Sequence, residues 1–135
     1  MLKKQLAVLL IEDDPDYVPL VESWLSNCSE AEFTVIWTDT LLTGLQRLAG
    51  GGIDAILLDL QMPDVDGYTA AQRIRAAETP GRRTPIIALT ASLARGTRER
   101  CLAAGIDEQL NKPLDLGKFS RLVRALTSPS TTNPA

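Results

Sequence analysis

Short apolar runs alternate with amphipathic stretches along the chain. Leu6 to Ile11 (LAVLLI) is an unbroken apolar run and predicts a buried strand. Pro15 then suits the first turn of a helix that Val18, Val21, Leu25 and Cys28 continue at spacings of three or four, with Pro19 set awkwardly near its start. Phe33 to Trp37 (FTVIW) is β-branched and aromatic and predicts strand two. Leu41, Leu45 and Leu48 mark one side of a helix over Thr40–Ala49, which Gly50-Gly51-Gly52 ends. Ile53 to Leu58 predicts strand three, Gly67 to Ala77 a helix facing inward through Ala70, Ala71 and Ile74, and Pro85 to Thr90 (PIIALT) strand four. A helix over Ala94–Ala104 stops at Gly105, and Asp107 to Leu110 is a short fifth strand. Asp115 is placed to cap a last helix whose inner face carries Leu116, Phe119, Val123 and Leu126. The remainder, Thr127 to Ala135 (TSPSTTNPA), is polar and aperiodic, as expected of a flexible tail or linker stub.

Five βα units in succession predict an α/β fold, a parallel sheet covered by helices on both faces. In such a sheet ligands bind beyond the carboxyl ends of the strands. The polar residues at those ends are therefore the candidates. Strand one ends in Glu12-Asp13-Asp14, strand three in Asp59, strand four in Thr90, and strand five in Asn111-Lys112-Pro113. Asp14, directly before Pro15, suits capping better than metal binding.

Composition narrows the chemistry. The chain has 135 residues, 44% hydrophobic and 23% charged, with a net charge of -3. That is one soluble domain with a real core and with no cationic surplus for gripping nucleic acid. No apolar run approaches a membrane span, and the start of the chain turns acidic too soon for a signal peptide, so a cytoplasmic location is expected. With no histidine, a Ser-His-Asp triad, a Cys-His pair and an internal histidine phosphocarrier are excluded, and zinc is disfavoured. Cys28 and Cys101 read as buried thiols, and Trp24 and Trp37 as packing residues.

Several carboxylates in one crevice repel each other by about 4 kcal/mol per pair at about 4 Å. A divalent cation offsets that, and an all-oxygen ligand set favours Mg²⁺, with Mn²⁺ possible. A lysine ammonium and a threonine hydroxyl suit the oxygens of a phosphoryl group. The crevice is thus composed to bring a phosphoryl group to a carboxylate.

The set Glu12/Asp13, Asp59, Thr90 and Lys112-Pro113, with LIEDDPD, LLDLQMPDVDG, PIIALTA and AAGIDEQLNKP in that order, resembles the receiver domain of two-component response regulators over Gln5 to Leu126. The resemblance implies a doubly wound, flavodoxin-like (βα)5 three-layer sandwich with strand order 2-1-3-4-5, a receiver over 1–127 and a tail over 128–135. It implies that Asp59 is the phosphoacceptor, and that Asp13, Glu12, Asp59 and the backbone carbonyl of Gln61 hold the metal. It also implies that Lys112 pairs with phosphoryl oxygens and that Thr90 moves to hydrogen-bond them. The implied donor is a partner histidine kinase or histidine phosphotransfer protein, and the implied output surface is the helix four–strand five–helix five face. No nucleic acid or membrane is expected as a direct partner.

One position departs from the pattern. The family often carries tyrosine or phenylalanine three residues before the lysine, where this chain has Gln109. That leaves open a phosphorylation-independent interaction module on the same fold. An aspartyl-phosphate phosphatase is disfavoured, because Gln61 stands where such enzymes carry a second acid. The receiver either stands alone or belongs to a longer chain such as a hybrid kinase. Arg95, Arg98 and Arg100 read as a solvated helix face, with partner docking as the alternative.

Overall fold

The computed structural model describes residues 4–27, 31–62, 65–79, 81, 83–90, 96–111 and 116–127. Ten elements alternate without exception: β1 (Lys4–Ile11), α1 (Tyr17–Ser26), β2 (Ala31–Thr38), α2 (Leu41–Ala49), β3 (Ala55–Asp59), α3 (Gly67–Ala77), β4 (Ile86–Thr90), α4 (Thr97–Ala104), β5 (Glu108–Asn111) and α5 (Leu116–Thr127). The strands form one sheet in the order β2-β1-β3-β4-β5. Each pairing is parallel. This is the doubly wound topology expected from the alternation.

The near-continuous apolar strands are explained by a sheet buried on both faces. Side chains alternate across it with a period of two. Leu9, Ile11, Ile56, Leu58, Ile86 and Ala88 meet Leu41, Ala70, Ala71, Ile74, Cys101 and Ala104 of α2, α3 and α4 on one side. Val8, Leu10, Leu57, Ile87, Leu89 and Leu110 meet Val18, Val21, Leu25 and Phe119 of α1 and α5 on the other. Of the four residues expected on the inner face of α5, Phe119 is fully buried; the side chains of Leu116, Val123 and Leu126, the Asp115 cap and Cys28 lie outside the described residues.

Element boundaries shift for local reasons. α1 begins at Tyr17 rather than at Pro15. Asp14 builds a turn ahead of it: its Oδ1 accepts from the Asp16 amide at 2.9 Å and its carbonyl from the Tyr17 amide at 3.1 Å. Asp14 thus shapes the turn before the helix rather than capping it: the N-cap position is Asp16, whose side chain makes no cap hydrogen bond. Pro19 becomes the third residue of α1, where the missing N–H has no intrahelical acceptor to lose. β2 is longer than Phe33–Trp37 because Lys4 to Ile11 and Ala31 to Thr38 pair over their full length. β3 starts at Ala55 rather than Ile53; Asp54 instead clasps β1, its amide donating to the Ala7 carbonyl at 2.8 Å and its side chain accepting from the Ala7 amide at 2.8 Å. α4 begins at Thr97 after Gly96, and the expected start at Ala94 lies outside the described residues.

The amino-terminal edge of the sheet is closed by Arg75, near the end of α3. Its guanidinium donates to the Gly105 carbonyl (2.9 Å), the Thr84 carbonyl (2.8 Å), Glu78 (2.9 Å) and Asp107 (2.7 Å). Asp107 also accepts from Arg83 at 2.7 Å and from the Ile86 amide at 2.9 Å. Gly105 has φ +95°, and a Cβ there would lie 2.8 Å from Arg75 Cγ. Only glycine permits both the left-handed backbone and the close approach.

Candidate functional site

The parallel register decides which polar residues meet. Ile11 of β1 lies opposite Leu58 of β3, so Glu12 and Asp59 leave neighbouring strands at the same level. Asp59 lies opposite Leu89, which places Thr90 one step further along β4. Thr90 in turn lies opposite Asn111 of β5. Glu12, Asp59 and Thr90 are all buried, with Asp59 only 2% exposed. Asp13 is half-buried at the rim.

Glu12, Asp13 and Asp59 converge: each offers a carboxylate oxygen, and these oxygens all lie within 4.8 Å of one another. Burying three acids together is costly unless positive charge joins them. The donor set is oxygen only, from two adjacent strands, and so suits a hard divalent cation better than zinc. Glu12, Asp13, Asp59 and Thr90 thus stand where the sequence placed them. Lys112 lies outside the described residues.

The segment after Asp59 explains why the chain turns at once. The Gln61 amide donates to Asp59 Oδ1 at 3.0 Å, which fixes the carboxylate from its own loop. Gln61 then forms an antiparallel bridge with Asp66. Asp66 caps α3, accepting from the Tyr68 amide at 2.8 Å. A Cβ on Gly67 would sit 2.6 Å from Leu60 Cα, so the return of the loop against the end of β3 requires glycine. The Asp66-Gly67 pair is thus a tight-packing signal as well as a turn.

Two aromatic residues join the site beyond those expected. Tyr17, at the start of α1, stacks edge-on against Trp24 with centroids 5.7 Å apart. Its hydroxyl is pushed up to about 12, by burial first, then by Glu12 and Asp59. It stays protonated beside the acids at neutral pH. Trp37, at the end of β2, donates its indole N–H to the backbone carbonyl of Glu12 at 2.7 Å. Trp24 is the packing residue the sequence suggested; Trp37 packs less and bonds more. The Trp37 contact carries no local signature, since Trp37 and Glu12 lie 25 residues apart.

The helix-four face differs from the aromatic pattern. Gln109 lies 3.8 Å from the buried Cys101 Sγ and 3.5 Å from Asn111 Oδ1. Burial raises the Cys101 thiol above its ordinary range, which keeps it inert and agrees with a structural cysteine. Arg98 pairs with Glu108 at 2.9 Å, and Arg100 lies 4.0 Å over the Tyr68 ring. Arg95 lies outside the described residues. Among the described residues no helix is long and apolar enough to cross a membrane.

Comparison with known proteins agrees with this geometry. The profile of the response regulator receiver domain matches residues 8–124. The sensor protein GacS of Pseudomonas syringae pv. syringae is 31% identical over 130 residues, covering 95% of this chain and 14% of GacS. The transcriptional activator protein IrlR of Burkholderia pseudomallei (strain 1026b) is 32% identical over 119 residues, 88% of this chain and 49% of IrlR. The chain therefore spans about half or less of these curated relatives. Among solved structures, the receiver domain of the sensor histidine kinase PA1611 from Pseudomonas aeruginosa PAO1, with magnesium in its active-site cleft, superposes with a TM-score of 0.77 at 34% identity, covering 93% of this chain and 99% of that one. Matched over nearly its whole length in sequence and fold, the chain belongs to the response regulator receiver domain family.

Proposed function

We propose that this receiver accepts a phosphoryl group on Asp59 from a phosphohistidine of a partner histidine kinase or histidine phosphotransfer protein. The observation that carries the reading is the gathering of three carboxylates from β1 and β3 within 4.8 Å. Glu12, Asp13, Asp59 and the backbone carbonyl of Gln61 are the residues assigned to hold Mg²⁺, with Mn²⁺ as a substitute. When bound, the cation supplies charge neutralisation for both the acids and the incoming phosphoryl oxygens.

The chain's own residues do the rest. An Asp59 carboxylate oxygen forms a bond to phosphorus while the phosphorus–nitrogen bond of the donor breaks and its electron pair returns to the imidazole. The Gln61 amide holds one Asp59 oxygen, Oδ1, which fixes the orientation of the carboxylate. Lys112 and the Thr90 hydroxyl are assigned to the phosphoryl oxygens once transfer has occurred. The added charge then biases the α4–β5–α5 face toward a second arrangement that an output partner reads. The protein acts in the cytoplasm as a signalling receiver over 1–127 with a tail over 128–135, and the only chemistry it catalyses is its own phosphorylation and dephosphorylation. It acts on neither nucleic acid nor membrane directly.

Acetyl phosphate with magnesium chloride should add one phosphoryl group to the wild type and none to Asp59→Asn, read by phosphate-affinity electrophoresis and intact mass. EDTA should abolish the addition. Modification that persists in Asp59→Asn would refute the assignment. A phosphorylation-independent interaction module is the second reading, favoured by Gln109 in place of the aromatic; equal partner affinity before and after phosphorylation would support it.

A further inference from the structure

We infer that Trp37 is a positioning residue for the acidic site, acting through the peptide that joins Glu12 to Asp13. The inference rests on the metal-dependent reading given above. Glu12 is the first residue beyond β1, and the ladder to β2 continues past the strand end to reach it. Its amide donates to the Thr38 carbonyl at 3.1 Å. Its carbonyl is taken by the Trp37 indole N–H at 2.7 Å. Two consecutive residues of the edge strand thus grip both sides of Glu12, one through its N–H and one through its C=O. The carbonyl belongs to the peptide plane between the two acids. An uncompensated turn about the Glu12 ψ or the Asp13 φ, which would also break the indole contact, re-aims Asp13 relative to Glu12 and opens the cluster.

Core packing does not account for this tryptophan. Trp37 is 41% exposed, against 0% for its sheet neighbour Leu10. Phenylalanine, leucine or isoleucine would cover the same surface of an edge strand, but none has a donor to reach a carbonyl. A carbonyl in a part-buried place is stabilised by a donor that meets it. The indole supplies the donor at a short distance, from a ring held on a strand rather than a loop. The acids are then set in place before any cation arrives, which removes an ordering cost from binding.

The test removes the donor and keeps the ring. Magnesium chloride is titrated by calorimetry into wild type and Trp37→Phe at a temperature where both are folded. The expected result is an affinity weakened by about three- to tenfold, the worth of one neutral hydrogen bond. A cleaner change is β-(3-benzothienyl)alanine at position 37 in a Trp24→Phe background, which exchanges the N–H for sulfur and leaves the shape. It carries the test if Trp37→Phe does not fold, and the same weakening is expected relative to the Trp24→Phe parent. A merely structural indole would alter the unfolding midpoint and leave the magnesium affinity alone. Wild-type affinity retained in both variants would overturn the positioning role while the phosphoacceptor reading stands. Wild-type protein that binds no magnesium would overturn both.

Discussion

At the amino-terminal edge of the sheet, Glu78 and Asp107 meet the guanidinium of Arg75; at the carboxyl-terminal edge, Glu12, Asp13 and Asp59 meet one another. Both edges use acids at element ends, and both draw them from distant parts of the chain. The first arrangement is closed. Arg75 makes four hydrogen bonds, to residues just past α3 and α4 and just before β4 and β5, and Asp107 ties β5 to β4. The second gathers like charge in a largely buried place. The contrast teaches where this protein stores stability and where it spends it: the closed edge anchors the sheet, and the acidic edge concentrates the charge on which the proposed function rests.

Breaking the closed edge should have the largest effect. Arg75→Ala leaves Glu78 without its guanidinium and Asp107, 18% exposed, with Arg83 alone. A loss of about 3 kcal/mol in urea unfolding is expected. Magnesium affinity of the folded fraction should not change, because the two edges are separate. At the other end, Gly67→Ala should cost about 2 kcal/mol, since its Cβ would press on the backbone of Leu60.

Relieving the acidic edge should have the opposite sign. Asp59→Asn should raise stability in EDTA by roughly 1–2 kcal/mol, a part of the bare Coulomb repulsion. Saturating magnesium should shrink that gain, because the cation does the same work in the wild type. A destabilised Asp59→Asn protein in EDTA would break the comparison.

The smallest effect is spectroscopic. The chain has two tyrosines. In alkaline titration at 295 nm, Tyr17 should ionise near 12. Because its folded value lies above the ordinary value of about 10, Tyr17 contributes stability that is complete below pH about 10 and is lost as pH rises toward about 12. Asp59→Asn should lower the Tyr17 midpoint, because that carboxylate is one cause of the rise.

The two edges were unequally legible in the sequence. Apolar runs announced β1, β3 and β4, and the rule that parallel strands deliver their carboxyl ends to one edge was enough to bring Glu12, Asp13, Asp59 and Thr90 together. The closing network was not legible. Arg75 meets Asp107 across 32 residues, and nothing in the α3 pattern distinguishes a guanidinium that turns inward from one on a solvated face. The β-branched and aromatic run places Trp37 on a strand, yet its bond to the Glu12 carbonyl depends on the β1–β2 register, which no local spacing reveals. Pro15 misplaced the start of α1 because proline suits both a first helical turn and the turn before it.

The parallel register carries a consequence for biosynthesis. Asp13, just past β1, and Asp59, at the end of β3, meet through strands that cannot pair until the intervening β2 and α2 have been made and folded back, since parallel neighbours need a crossover between them. A ribosome-bound chain that has emerged only through α2 holds two of the three acids but no pocket. The three-acid pocket therefore forms only once β3 has paired with β1, and the proposed phosphoacceptor is assembled late in synthesis.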